Sequence, residues 1–462
     1  MRRSQTGPSR ILYPNFGAEE NRDAKRAVPE LLHLLALWQG LFPPDTAAHL
    51  PVETFPPGTT PLEAATVRSA NPNSPTKTVE ARPSTRSLRT RLAGTIGIVP
   101  WYPTARAAEF GATRGEGLAF SSPADASRLH DKASCVEWRE RPGRGSPGSV
   151  SSRSIGWWPV VLTPEELRRP GAATEIARIV SEWDEVYQRT FVLKPRFGTS
   201  GRGRVRADSI PLAESVARAL PKLADRGGAI LEPWFERLVD LSAQFWVEVD
   251  GSVTCLGTTR QVLGENGIYL GNRGNVDFCP ESLGDGDGDG DGDGDGDVGG
   301  CGDGDGGRCR GGDGYDGCGC GAWNVSSGSS WDAEFREVAG RFVRSAADAG
   351  FRGPCGVDGF SYRDARGEER LRPLVECNAR FTAGLVALGW LAEVLDMGAR
   401  TAESGGSSTV GGPFEWWFVP FPSYSQRLLG DQGLASRSDG WEVTPLEEGD
   451  GAGTLSIRSR GR

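Results

Sequence analysis

No stretch of this 462-residue chain approaches the roughly 20 consecutive apolar residues of a membrane span, and MRRSQTGPSR at its start has no apolar leader core. A soluble, cytoplasmic protein without a membrane partner is therefore expected. Lysine is scarce beside arginine, occurring at Lys25, Lys77, Lys132, Lys194 and Lys222, so a lysine at a special position is informative. Histidine is scarcer still, with His33, His49 and His130. The nine cysteines are odd in number and show no pairing pattern. Cys301, Cys309, Cys318 and Cys320 fall in a glycine tract without C-x2-C spacing, which argues against a disulfide or zinc framework. Among phosphate-binding signatures, no GxxxxGK[ST] occurs, and no GxGxxG opens a strand–helix unit. Kinase-type HRD and DFG motifs are missing too. The formal net charge of −9 gives no reason to expect nucleic acid as a partner.

What is present is unevenly distributed. The hydrophobic share is only 37%, because 65 glycines and 31 prolines sit largely in biased segments. Ile11–Tyr13 and Thr95–Val99 read as strands. Leu31, Leu34, Leu35 and Trp38 lie at helical spacing before Gly40, with His33 read as a packing residue. Residues 43–92 and 141–154 have no period and read as insertions in a small N-terminal α/β domain, 1–156. Further on, Ile176, Ile179, Val180, Trp183 and Tyr187 trace one helical face, and Leu212–Leu223 predicts another helix. Phe245, Val247 and Val249 alternate with polar residues up to Asp250-Gly251, which predicts a hairpin through a type I′ turn returning along Ser252–Gly257. Residues 283–330 are low complexity, led by a Gly-Asp repeat over Gly284–Asp297, and read as a solvated spacer of 48 residues. Such a chain spans roughly 40 Å root-mean-square, and loop closure grows only logarithmically in cost, so a folded domain can carry it. Ser330 is the expected N-cap of a helix bearing Phe335, Val338 and Phe342 and stopping at Gly350. Leu385, Leu388, Leu391 and Leu395 mark a last helix. Residues 401–462 read as a Gly/Ser linker and a tail whose aromatic stretch PFEWWFVPFP has no assigned role.

Two stretches carry chemistry. In FVLKPRFGTSGRGRVR (Phe191–Arg206) a short apolar strand presents Lys194, and Gly198, Gly201 and Gly203 follow. Backbone N–H groups approach an oxyanion closely where no Cβ intervenes, and a lysine adds a point charge, so the stretch suits a polyphosphate. The second stretch is a pair of strands, GVDGFSY and PLVECNAR. Glu376 and Asn378 are two apart and share a strand face, with Arg380 next along it, and an antiparallel partner strand can bring Asp358 opposite. Two carboxylates and an amide oxygen form a hard oxygen set suited to Mg²⁺ bridging phosphates. The competing reading is a solvated face with surface ion pairs. Flanking Val357, Phe360, Leu374 and Val375 favour the metal.

A Lys-bearing strand, a glycine loop, a Glu-Pro-Trp hinge, a hairpin and a late Asp…Glu-x-Asn set follow in the order found in the ATP-grasp family, which the chain from about 160 to 400 resembles. The domain itself is expected over 157–400, with the 283–330 insertion inside it. The resemblance implies an α/β (α+β) fold in which two α+β subdomains grip ATP, preceded by a small Rossmann-like α/β domain. It implies that Lys194 contacts nucleotide phosphates, and that the loop Gly198, Thr199, Ser200, Gly201, Gly203 closes over them. Glu232, Trp234 and Phe235 would form the adenine edge, and Asp240, or else Glu236, would hold the ribose. Asp358, Glu376 and Asn378 match the family's Mg²⁺ ligands, and Arg380 its arginine at the acyl phosphate. Arg260 is a weaker candidate for gripping substrate anions, and Arg168 or Arg169 for an early phosphate contact. The implied activity is an ATP-binding, Mg²⁺-dependent, ADP-forming ligase that activates a small carboxylate as an acyl phosphate and joins it to an amine, such as an amino acid or peptide. A homodimer is compatible with it. A catalytically inactive nucleotide-binding module is the alternative. A phosphohistidine dikinase ranks last, since His33, His49 and His130 all lie outside the nucleotide region.

Overall fold

Three sheets carry the chain in the computed structural model, which describes residues 10–16, 34–35, 37–43, 46–49, 88–141, 156–198, 203–207, 214–264, 269–278, 323–403, 414–420, 441–445 and 454–459. The first sheet is parallel, in the order β2-β1-β3, from β1 (Arg10–Tyr13), β2 (Ala47–Ala48) and β3 (Gly97–Pro100). The second expected strand thus starts two residues late. Gly97 enters it at φ +95°, where glycine alone is unstrained, and Ile96 before it is 69% exposed. The described part of the helix bearing Leu34, Leu35 and Trp38 is helical as expected, whereas Leu31 and His33 lie outside the described residues. Within the expected 43–92 insertion, Leu88–Ala93 is a helix, and Leu88 and Leu92 are buried.

The second sheet is small and antiparallel, in the order β4-β7-β5-β6, from β4 (Val160–Leu162), β5 (Phe191–Pro195), β6 (Val205–Ala207) and β7 (Ala229–Pro233). Ile176, Ile179 and Val180 are buried on the helix Ala172–Ser181 as expected, but that helix ends at Ser181. Trp183 follows in a bend and Tyr187 stands on a separate short helix, Glu185–Gln188, both buried in this sheet's own core. The following helix is described over Glu214–Asp225 and ends two residues later than expected, while Leu212 and Ala213 lie outside the described residues.

Nine strands make the third sheet: β8 (Glu236–Val247), β9 (Val253–Leu263), β10 (Tyr269–Phe278), β11 (Trp323–Ser326), β12 (Gly353–Arg363), β13 (Glu369–Asn378), β14 (Phe414–Val419), β15 (Trp441–Pro445) and β16 (Thr454–Ser459). Their order is β13-β12-β8-β9-β10-β14-β16-β15, with β11 also on β10. The β8–β9 hairpin forms, but not through a type I′ turn. Val247 pairs with Val253, the Gly251 N–H donates to the Glu248 carbonyl at 3.0 Å, and Gly251 sits at φ +92°. This is a three-residue loop whose glycine takes the left-handed position. The alternation used to place the turn therefore ends at Val247, and Val249 is 90% exposed.

The expected spacer is shorter than 283–330, because Trp323–Ser326 pairs with β10 and residues 327–330 lead into the helix Asp332–Asp348. Ser330 does not cap that helix. The Ser329 hydroxyl accepts from the Trp331 N–H at 3.3 Å and the Ser329 carbonyl from the Asp332 N–H at 3.1 Å, so the turn before the helix begins one residue earlier. The aromatic stretch without an assigned role is β14, which pairs with β10 and buries Phe414, Trp416 and Phe418. These side chains join one core with Leu12 and Val99 of the first sheet, Trp38, Phe245, Val357 and Phe381. Burial stabilises each such side chain by about 1.5–3 kcal/mol. The first sheet and the large sheet are thus welded by shared apolar contact, while Phe360 and Tyr362 of β12 extend into the small sheet's core.

Candidate functional site

Lys194 stands on β5, flanked by buried Leu193 and Pro195, and next to β7, where Val192 pairs with Glu232. Its ammonium forms an ion pair with Glu232 Oε1, and Arg372 of β13 donates to Glu232 Oε2. Glu232 is buried. Burial alone would raise its pKa, but Arg372, Lys194 and Arg139 outweigh burial and hold it at about 2. Burial pulls Lys194 down to about 8, against the attraction of Glu232. Arg139 falls to about 10, first through burial and then through Arg372 nearby. Three cations thus surround one buried carboxylate.

The strand pair comes together as its spacing predicts. Asp358 lies opposite Glu376 in the β12–β13 register and opposite Ser242 of β8 on its other side. Asp358 Oδ1 accepts from the Ser242 hydroxyl at 2.6 Å and from Gln261 Nε2 at 2.9 Å, while Oδ2 accepts from Asn378 Nδ2 at 2.9 Å. Arg380 Nη2 donates to Asn378 Oδ1 at 3.1 Å, so Asp358, Asn378 and Arg380 form one hydrogen-bonded chain, with Glu376 opposite Asp358 in the strand register. Burial, with the Glu376 charge adding, pushes Asp358 up to about 7. Past Asp358 the register shifts, and Phe360 pairs with Arg372. The bulge contains Pro373, which cannot donate to a ladder, and turns β13 so that Arg372 meets Glu232 while Glu376 stays with Asp358.

Lys132 joins the two halves, and the sequence reading passed over it. Its Nζ is 2.7 Å from Glu376 Oε2 and donates to the Gly198 carbonyl at 2.8 Å. Burial would raise Glu376, but this ammonium prevails and holds it at about 2. The segment around Lys132 is docked on both sides. Asp131 N-caps the helix Lys132–Glu140 and pairs with Arg196, just beyond β5, and His130 Nδ1 lies 3.2 Å from the Cys377 carbonyl. That contact makes Nδ1 the protonated nitrogen, and burial keeps the ring neutral, lowering its pKa to about 3. Lysine scarcity was the signal that would have found Lys132. Arg168 instead pairs with Asp225 on an exposed surface, and Arg169 shows no contact with this cluster.

The remaining expected residues are spread wider. Gly198 takes φ +149° and Gly203 φ +78°, while Thr199, Ser200 and Gly201 lie outside the described residues. The Trp234 backbone N–H already donates to the Thr190 carbonyl at 2.9 Å, and its ring lies 5.1 Å from the guanidinium carbons of Arg204 and Arg206. Phe235 is buried, with its ring centroid 4.4 Å from Tyr362 and 5.0 Å from Trp157, so its side chain is core rather than a binding edge. Glu232 likewise meets cations with both oxygens. Asp240 pairs with Arg237 at 2.6 Å, and Glu236 is exposed. Arg260 does not reach for substrate here: its Nε donates to the Ser327 carbonyl at 2.7 Å, and Nη2 donates to that of Gly328, bracing the turn after β11.

The donor set fits a hard divalent cation. Asp358, Glu376 and the Asn378 amide offer oxygens, and a cation would relieve Asp358, which burial and the Glu376 charge push up. Among the described residues no three His, Cys, Asp or Glu side chains converge on one point, so the set is two carboxylates and an amide.

No protein-family model matches the chain, and no curated protein matches it. Solved structures similar to it include an N5-carboxyaminoimidazole synthetase from Staphylococcus aureus complexed with ADP, at 11% identity and TM-score 0.45, covering 98% of this chain and 94% of that one. Another is the biotin carboxylase domain of a 2-oxoglutarate carboxylase from Hydrogenobacter thermophilus, in complex with MgADP and bicarbonate, at 14% identity and TM-score 0.45, covering 98% and 86%. A biotin carboxylase from Campylobacter jejuni in complex with β,γ-ATP matches at 12% identity and TM-score 0.43, covering 98% and 88%. These are distant likenesses.

Proposed function

We propose that the chain is an ATP-grasp ligase, Mg²⁺-dependent and ADP-forming, that activates a small carboxylate as an acyl phosphate and joins it to an amine through a C–N bond. The observation that carries this reading is Lys132, whose ammonium lies 2.7 Å from Glu376 and 2.8 Å from the Gly198 carbonyl. It brings Gly198, just beyond the lysine-bearing strand of the small sheet, near Glu376 of the large one, which supports a phosphate-transfer cleft between them. Asp358, Glu376 and Asn378 would hold Mg²⁺, which when bound supplies charge neutralisation across the nucleotide phosphates. Lys132 and Lys194 would neutralise the phosphate oxygens from opposite walls, and Arg380, beside Asn378, would steady charge at the acyl group. Closure of the glycine loop over this cleft would exclude water from the acyl phosphate.

A coupled ADP-release assay over a panel of carboxylic acids, with and without amines, tests the proposal. An acid–amine pair that raises ADP release in wild type but not in Glu376→Gln supports the ligase. Release that no pair raises above that control removes it.

A further inference from the structure

Glu232 has two cations, one for each oxygen: Lys194 on Oε1 and Arg372 on Oε2. The two cations are held very differently. Arg372 is 4% exposed, and its guanidinium carbon lies 4.6 Å from the Trp157 ring centroid and 5.6 Å from that of Phe235. Lys194 carries its charge on a flexible four-carbon stem, four residues before Gly198. The Lys194 ammonium has three donors, but while it is paired with Glu232 its charge is shared between that carboxylate and any phosphate it meets. If it left, Glu232 would remain as a buried carboxylate, which is strongly unfavourable without a partner.

We infer that Arg372 is a positioning residue: by keeping hold of Glu232, it frees Lys194 to turn to the phosphates of a bound nucleotide. This inference rests on the nucleotide site proposed above. The groups facing Lys194 fit the role. Glu232 on β7 attracts it, whereas Arg237 on β8 and Arg372 on β13 repel it, so its hold on Glu232 is weakened in advance. Arg139, which donates to the Leu374 carbonyl of β13, adds a further cation on the Glu232 side. Arg372 Nε is buried without a hydrogen-bond partner, so Glu232 is its one polar anchor among the described residues.

The experiment has two arms on the full chain, after circular dichroism confirms folding. In the first, MgADP binding is measured by calorimetry for wild type, Arg372→Met, Glu232→Gln and the double variant. Arg372→Met is expected to weaken binding about tenfold or more, and this loss is expected to vanish when Glu232 is already glutamine. A loss that persists in the Glu232→Gln background means that Arg372 attracts the nucleotide directly, and a loss under twofold means that it does nothing; either overturns the inference. In the second arm, reductive ¹³C-methylation labels the five lysines, and NMR titration reads Lys194 without any nucleotide. Lys194 is expected to titrate about one pH unit higher in Arg372→Met than in wild type, since its repulsive neighbour is gone and Glu232 is its alone. An unchanged Lys194 titration overturns the inference even if MgADP binds. Wild type that binds no MgADP removes the nucleotide reading instead, leaving this second arm to decide whether Arg372 and Lys194 share Glu232. Arg372→Gln serves in both arms if the methionine variant does not fold, and Arg372→Lys, keeping the charge, is expected to recover most of the affinity.

Discussion

Replacing Lys132 by methionine removes the one ammonium between the glycine loop and the metal strand. Its Nζ lies 2.7 Å from Glu376 Oε2, with the lysine side chain 9% and the glutamate 17% exposed. At an effective dielectric of about 20 that separation corresponds to about 6 kcal/mol of attraction, most of it offset by the desolvation of both charges. Breaking such a pair from one side leaves Glu376 uncompensated beside Asp358, so Lys132→Met is expected to lose about 3–5 kcal/mol. Removing the Glu376 charge as well should recover much of the loss. The double variant Lys132→Met/Glu376→Gln is therefore expected to be more stable than the single lysine variant. Urea unfolding followed by tryptophan fluorescence measures all four members of the cycle, with unfolding slopes compared to check that each unfolds alike. A single-variant loss under about 1 kcal/mol, or a double variant showing the plain sum of the two losses, would refute the account of Lys132 as the link between the halves.

Three further outcomes are expected. Glu232 is held at about 2 rather than 4.5, so its contribution is fully present above about pH 4.5 and fades as pH falls towards 2. Wild type is accordingly expected to lose about 3 kcal/mol more than Glu232→Gln between about pH 5 and pH 2 in urea titrations, and parallel pH profiles would contradict it. A Cβ at Gly359, inside the β12–β13 bulge, would lie 2.7 Å from Phe335 Cε2 and 2.8 Å from the Arg372 carbonyl. Gly359→Ala should therefore cost about 1–3 kcal/mol by thermal melting and weaken MgADP binding, because the bulge aims Arg372 and Glu376. Phe235→Ala is expected to cost about 3–5 kcal/mol, since its ring fills the seam between the small sheet and β12; a loss under about 1 kcal/mol would mean that the ring is not core.

Local pattern was enough where chemistry and periodicity coincide. Alternation placed Glu376 and Asn378 on one strand face, and an antiparallel partner was the simplest way to bring Asp358 opposite. Helical spacing likewise identified Ile176, Ile179 and Val180 as a buried face, whereas Trp183 and Tyr187, at the same spacing, lie beyond the helix's end at Ser181. The hairpin was legible but its turn was not, because Asp-Gly serves both a two-residue turn and the end of a three-residue loop, and the choice depends on which pair closes the ladder. Phe235 and Trp234 read as an open hinge from Glu-Pro-Trp alone, yet burial of one ring and backbone pairing of the other depend on Tyr362 and Thr190, which a local reading does not weigh. Lys132 was missed for the same reason: its partners Gly198 and Glu376 are close only after folding.

The elements of chemistry are legible along the chain: a lysine ending an apolar strand before a glycine-rich stretch, and two carboxylates with an amide on paired strands. Residue type and a period of two or 3.6 suffice for that, because they act within a few residues. Only the tertiary structure decided which charges meet. It put Lys132 between Gly198 and Glu376, gave Glu232 to both Lys194 and Arg372, and turned the aromatic stretch near the C-terminal end into a strand of the large sheet. Such pairings are set by sheet order and by a bulge at Pro373, which bring together residues far apart in the chain and leave no periodic trace in it.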